Sequence, residues 1–184
     1  MPKYINLGSG DLPIKDCVGV DIQKTPFADV LVDLSVTPWP WKSDSIDGIY
    51  MLHSLEHLEN TNAALVECHR ILKKGGFLFI QVPHSSLVTG IGIIPHFRTF
   101  SYNAFVEHLS DRFDTKINEI RWLGYPRNKR HPYIKFAVQK KTGRLYFLSY
   151  IVQPLINLNP SVFERFWCYW VGGADEVVWK GIKK

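Results

Sequence analysis

Three groups of residues in this 184-residue sequence have the types and spacing that chemistry asks for. The first is Gly8-Ser9-Gly10, with Asp21 and Asp33 following it. Glycine lets a backbone come against a ligand with no Cβ in the way. A carboxylate at a strand tip accepts hydrogen bonds from both hydroxyls of a ribose. Together they are the materials of a nucleoside pocket. The second group is His53-Ser54-Leu55-Glu56-His57, two imidazoles and a carboxylate within one short run. The third is His84, directly after Pro83, with His96 and Arg98 further on. An imidazole there can take up a proton or orient an acceptor, and the guanidinium can grip an anion.

The elements that must position these groups are read from the hydrophobic pattern. Tyr4–Leu7, Cys17–Val20 running into Asp21, Ala28–Val32 running into Asp33, Ile46–Leu52 and Phe77–Val82 are short apolar runs of the kind buried parallel strands use. Each candidate group stands just after such a run, at the strand end where open α/β sheets bind their ligands. The link Asp11–Asp16 holds a turn or a stub of helix, and Pro13 occupies the place of the third glycine in G-x-G-x-x-G. A diphosphate on a long helix N-terminus is therefore disfavoured. Leu34–Trp41, with two prolines and two tryptophans, predicts a rigid loop. A helix is expected from about Asn60 to Lys73, with Lys73-Lys74 in its last turn and Gly75-Gly76 as its stop.

Past Pro83 the irregular stretch His84–Thr99 lies where a substrate lid would. Ser101 is the expected N-cap of a helix from Tyr102 to about Ser110. Phe113–Leu123 reads as a sixth strand, Tyr133–Lys140 as an extra one and Glu176–Lys183 as the last. Leu145–Asn157 and Ser161–Trp170 read as helices broken at Asn159-Pro160. The length suits one α/β domain, and no linker or repeat divides it.

Composition narrows the partners. A net charge of +5, with the basic loop Arg127–Arg130, admits an anionic partner without requiring one. Phe163, Phe166, Trp167, Tyr169 and Trp170, interleaved with Arg144, Arg165 and Lys180, have the composition of a single-stranded nucleic acid or membrane contact. The favoured reading packs them on the sheet. Cys17, Cys68 and Cys168 are far apart, without C-x-x-C, so no disulfide framework is expected and a cytoplasmic location fits. No signal peptide is expected at the start, and Leu145–Leu158 is too short to span a membrane. The H-x-x-E-H spacing of His53, Glu56 and His57 is that of inverted zinc proteases. No third ligand stands at a recognisable distance, so no metal site is expected.

The ordered series INLGSGD, VGVDI, ADVLVDL, PWPW, SIDGIYMLHSLEHL and ECHRILKKGGFLFIQVPH resembles a class I S-adenosylmethionine-dependent methyltransferase of the type 11-like group. The resemblance is strong over residues 4–84 and weaker through HFRTFS and PLINLNPSVFERF. It implies a Rossmann-like, seven-stranded, mostly parallel sheet with helices on both faces and an antiparallel last strand. It implies one domain over residues 1–184, with a cofactor-binding half in 1–84 and an acceptor-side lid and C-terminal helices in 85–184. Gly8 and Gly10 would pass under the methionine of S-adenosyl-L-methionine, Asp21 with Ile22 would hold the ribose, and Asp33 and Leu34 would flank the adenine. Met51, His53 and Leu55 would line the sulfonium side, and Glu56-His57 would close that edge. Asn6 stands where the superfamily places an acid. If the acceptor needs a base, the candidates are His84, His57 and His96, in that order. The expected acceptor is a small molecule or a glycan-type group. A nucleic acid is the alternative, and an inactive cofactor-binding interaction module is a third reading.

Overall fold

A computed structural model describes residues 3–87, 96–122, 146–166, 168 and 174–184. The expected Tyr133–Lys140 strand and Arg127–Arg130 loop lie outside the described residues, as do Arg144, Trp167, Tyr169, Trp170 and the middle of the 84–99 stretch. The apolar runs become strands β1 (Tyr4–Leu7), β2 (Val18–Asp21), β3 (Val30–Leu31), β4 (Ile46–Leu52), β5 (Leu72–Pro83), β6 (Phe113–Arg121) and β7 (Glu176–Lys183). They form one sheet in the order β3-β2-β1-β4-β5-β7-β6. The first five are parallel, and β7 runs antiparallel to β5 and β6, between which it lies. This is the expected Rossmann-like seven-stranded sheet. The helices are α1 (Thr61–Ile71), α2 (Ala104–Leu109), α3 (Tyr146–Leu158) and α4 (Pro160–Arg165), with a 3-10 turn at Leu55–His57. The link 11–16 forms turns and no helix, as its length requires.

Strand alternation divides the core. Ile49 and Met51 of β4, Leu78, Ile80 and Val82 of β5, and Val177 and Trp179 of β7 share one cluster with Leu65, Cys68 and Ile71 of α1 and Phe105 and Leu109 of α2. The intervening Tyr50, Leu52, Phe79 and Val178 face the other way and are covered by Ile14, with Leu12 and Cys17, from the short link.

Three boundaries differ from expectation. The chain leaves α1 at Leu72 and is already extended there, so Lys73-Lys74 and Gly75-Gly76 belong to β5. Gly75, at φ 77°, absorbs a bulge that carries the register from Ile46 opposite Leu72 to Gly48 opposite Phe77. The end of α1 is capped instead by Lys183, whose Nζ donates to the carbonyls of His69 and Leu72 at 2.8 and 2.7 Å. That contact joins elements too distant in sequence for local spacing to show. Helix α2 starts at Ala104 after Asn103, with no side-chain cap, rather than on Ser101. The third strand shrinks to two exposed residues, Val30 and Leu31, at the sheet edge.

At the opposite edge, α3 does what another strand would have done. Asn157 accepts from the Ile120 amide at 3.0 Å, Gln153 accepts from the Trp122 amide at 2.8 Å, and both side chains donate to the Ile120 carbonyl. The polar edge groups are thereby satisfied and blunted.

The Pro-Trp loop is held down by α1. Arg70 forms paired 2.6 Å bonds to Glu67 and donates to the carbonyls of Trp41 and Trp39 at 2.9 and 3.1 Å, while Glu67 accepts from the Trp39 amide at 2.7 Å. The Arg70 hydrogen bonds hold the Glu67 carboxyl below its usual range, against the opposing effect of burial. A depressed carboxyl contributes stability in full above its unfolded value, near 4.3, and loses it as pH falls through the folded value. Glu67→Ala should therefore cost about 1.5–3 kcal/mol at pH 7, as for hydrogen bonds to a charged group, with the deficit shrinking toward pH 3. Urea unfolding at a series of pH values measures it, and a deficit that stays constant with pH would refute the coupling.

Candidate functional site

The turn after β1 is shaped by two left-handed glycines, Gly8 at φ 70° and Gly10 at φ 46°. The amides of Gly8 and Ser9 both donate to the Val20 carbonyl, at 2.8 and 2.9 Å. A Cβ on Gly8 would lie 2.3 Å from the Ser54 Cβ, whereas one on Gly10 would meet nothing within 4 Å. Gly8 is thus a packing necessity against the end of β4, and Gly10 faces open space. Asp21 ties the turn to β2, since its Oδ2 accepts from the Gly10 amide at 2.8 Å and its Oδ1 from the Gln23 amide at 3.0 Å. A carboxylate has about four lone-pair sites, so acceptor capacity remains. Beside it Ile22 is 62% exposed and Leu31 57% exposed, an apolar surface next to the carboxylate. Asp33 is exposed and takes the Ser35 amide and hydroxyl at 2.9 and 2.6 Å, bonds that lower its pKa. Leu34 is buried, its carbonyl accepting from the Trp39 indole at 3.2 Å. Asn6 is buried and donates to the Leu12 carbonyl at 2.8 Å, so it clamps the short link.

The end of β4 buries two of the expected pocket residues. Met51 and Leu55 are both 0% exposed within the core, Met51 with its sulfur 3.8 Å from that of Cys68. Neither offers a surface to a ligand. His53 does, because the strand end turns it out at φ 51°. Its Nε2 lies 2.9 Å from Glu176 Oε1 and its Nδ1 3.4 Å from Glu56 Oε1. Burial pulls the imidazolium down, but its pairing with Glu176 and then Glu56 outweighs it and raises His53 to about 9. His53 is therefore a cation at neutral pH, held between two buried carboxylates. Gln81 and Arg121 complete this polar cluster, with Gln81 3.4 Å from His53 Nε2 and Arg121 3.5 Å from Gln81 Oε1. Glu176, Gln81 and Arg121 escape the sequence reading. Their only signal is a polar residue interrupting a buried apolar strand, as Gln81 does.

The helix that an H-x-x-E-H zinc motif needs is not there. His53 precedes a three-residue 3-10 turn and faces Glu176. The fold pairs His57 with His96 instead, ring centroids 4.6 Å apart at 70°. Ligand atoms of Glu56, His57 and His96 all lie within 4.8 Å of one another. The Phe97 amide, donating to the Glu56 carbonyl at 2.9 Å, pins the later segment here.

His84, the first candidate base, is elsewhere and occupied. It is 1% exposed, with Nε2 at 2.8 Å from Glu164 Oε1 and Nδ1 at 2.7 Å from Ser86 Oγ. The Ser86 amide also points at Nδ1, leaving Nε2 to carry the proton. Glu164 further accepts from the Tyr102 amide at 2.5 Å. Burial raises the Glu164 carboxyl, but these partners lower it further. His84 is a tie between the end of β5 and α4, with no face toward a substrate.

The family model described as "Methyltransferase domain" matches residues 7–80. Among proteins of curated function none matches the chain. Among solved structures, an S-adenosylmethionine-dependent methyltransferase from Archaeoglobus fulgidus superposes with a TM-score of 0.58 at 14% identity, over 98% of this chain and 85% of that one. One from Thermotoga maritima gives 0.58 at 18%, over 99% and 82%. A geranyl diphosphate methyltransferase in complex with S-adenosylmethionine gives 0.57 at 12%, over 98% and 77%. At such identities the likeness is one of fold. The methyltransferase domain model thus spans the end of β1 to most of β5, and the chain as a whole shares the fold of these methyltransferases.

Proposed function

We propose that the protein transfers the methyl group of S-adenosyl-L-methionine to a small-molecule or glycan-type acceptor, in the cytoplasm. Residues 1–84 would bind the cofactor and 85–184 would build the acceptor side. The observation that carries the reading is Asp21, a carboxylate with spare acceptor capacity fixed to the glycine turn and flanked by exposed apolar Ile22 and Leu31. Those groups suit a ribose and an adenine. Gly10, with free space where its Cβ would be, suits the passage of the methionine part.

When bound, the cofactor supplies an activated methyl on a sulfonium. The protein's task is then to hold an acceptor in line and exclude water. His53 contributes a fixed positive charge at the end of β4. A cation there suits the cofactor's carboxylate better than its sulfonium, so His53 would orient rather than accept a proton. The expected result is one-site binding of S-adenosylmethionine in calorimetry, with the product S-adenosylhomocysteine competing. A flat titration with both ligands on folded protein would overturn the reading.

A further inference from the structure

The Glu56 carboxylate is buried and only partly matched. Its residue is 0% exposed, and neither oxygen has a hydrogen-bond partner. The His53 ring nitrogen, 3.4 Å from Oε1, forms an ion pair there but is not aligned to donate a hydrogen bond. Burying a carboxylate without full compensation costs several kcal/mol. Against it stand the exposed His57 and the half-buried His96, each offering a ligand atom within 4.8 Å of the other two groups.

We propose that Glu56, His57 and His96 form a binding site for a divalent transition cation of zinc's class, with at least one coordination position open. Two imidazoles and a carboxylate are a donor set that zinc takes at catalytic sites, whereas calcium and magnesium prefer oxygen alone. Tetrahedral zinc holds its ligand atoms about 3.4 Å apart, so the set must close by up to about 1.4 Å. The exposed His57 side chain has room to do that. His53 is a positioning residue, since Glu176 fixes its ring and the ring in turn lies along one Glu56 oxygen. The backbone bond from Phe97 to Glu56 brings the third ligand to the first two. The cation would engage the carboxylate oxygens that His53 leaves without a hydrogen bond.

What the open position would bind rests on the proposed methyl transfer. A Lewis acid at the end of β4 would take a hydroxyl-bearing acceptor and lower its pKa so that its proton passes to solvent water. The oxygen would then bond to the methyl carbon as the carbon–sulfur bond breaks, with S-adenosylhomocysteine as the leaving group. No protein base would then be required, in keeping with the enclosed position of His84.

The test is calorimetry with zinc chloride on chelator-treated full-length protein, with elemental analysis after dialysis. One zinc per chain is expected, weakened about 100-fold or more in His57→Ala and in Glu56→Gln, beyond the roughly 10–100-fold typical of an outer partner. His57 is exposed, so its variant keeps the test valid if Glu56→Gln does not fold. No zinc uptake by the wild type, or unchanged affinity in His57→Ala, would overturn the site. A parallel S-adenosylmethionine titration of the zinc-free protein tests the cofactor reading separately, and its failure would leave the zinc result standing.

Discussion

Asp21→Ala is expected to weaken S-adenosylmethionine binding by about 10- to 100-fold, the equivalent of one or two hydrogen bonds to a charged group. The variant removes the acceptor proposed for the ribose hydroxyls. It also releases the amides of Gly10 and Gln23, bonded at 2.8 and 3.0 Å, so the glycine turn loses its tie to β2. Asp21→Asn, which keeps one oxygen, should lose less. Asp33→Ala is the contrast. That carboxylate is exposed and bonded only within its own turn to Ser35, so its loss should change affinity by no more than a few-fold. Calorimetry on the three variants reads the order. Equal affinity for Asp21→Ala and wild type would remove Asp21 from the site.

The largest loss of stability is expected at Gly19. A Cβ there would lie 1.8 Å from the Phe27 carbonyl oxygen, 3.0 Å from its carbon and 3.1 Å from Ser9 Oγ. The obstacle is backbone, which no rotamer change can clear. Gly19 is also bracketed by Asp29, whose Oδ2 accepts from its amide at 2.7 Å and whose amide donates to its carbonyl at 2.8 Å. Gly19→Ala must push β2 away from the segment that follows it, at a cost of about 3 kcal/mol or more. By comparison, a Cβ on Gly181 would meet the Trp179 ring at 2.3 Å, an obstacle that is a side chain. Urea denaturation distinguishes the two. A Gly19→Ala midpoint within error of wild type would contradict the packing described for β2.

The residues that announce themselves locally were legible in the sequence. Ile46–Leu52 and Glu176–Lys183 are strands over the ranges their apolar pattern implies, and Asn60 caps α1, accepting from the Ala63 amide at 3.0 Å. That Asp21, His53 and His84 stand at strand ends, where chemistry at a parallel sheet gathers, was legible too. What stayed hidden depends on pairs distant in the chain. His84 looked like a base, yet Glu164, far along the sequence, encloses it. Met51 followed the strand into the pocket by position, but the side of the pleat it faces is set by Cys68 and α1. His57 acquires His96 and not His53, because a 3-10 turn replaces the helix that would have aligned the latter pair. Glu176 joins the site through an antiparallel pairing no local pattern encodes.

That pairing also bears on how the molecule comes into being. Strand β7 lies between β5 and β6, yet it follows β5 by about ninety residues of chain. On a ribosome adding roughly 5–20 residues per second, β5 waits about 5–20 s for its inner neighbour. Through that interval the nascent chain displays a long, apolar strand with one row of amides and carbonyls unpaired, the template on which misassembly starts. A folding helper would find its work at the outer edge of β5, and it would be released when the last strand slides in.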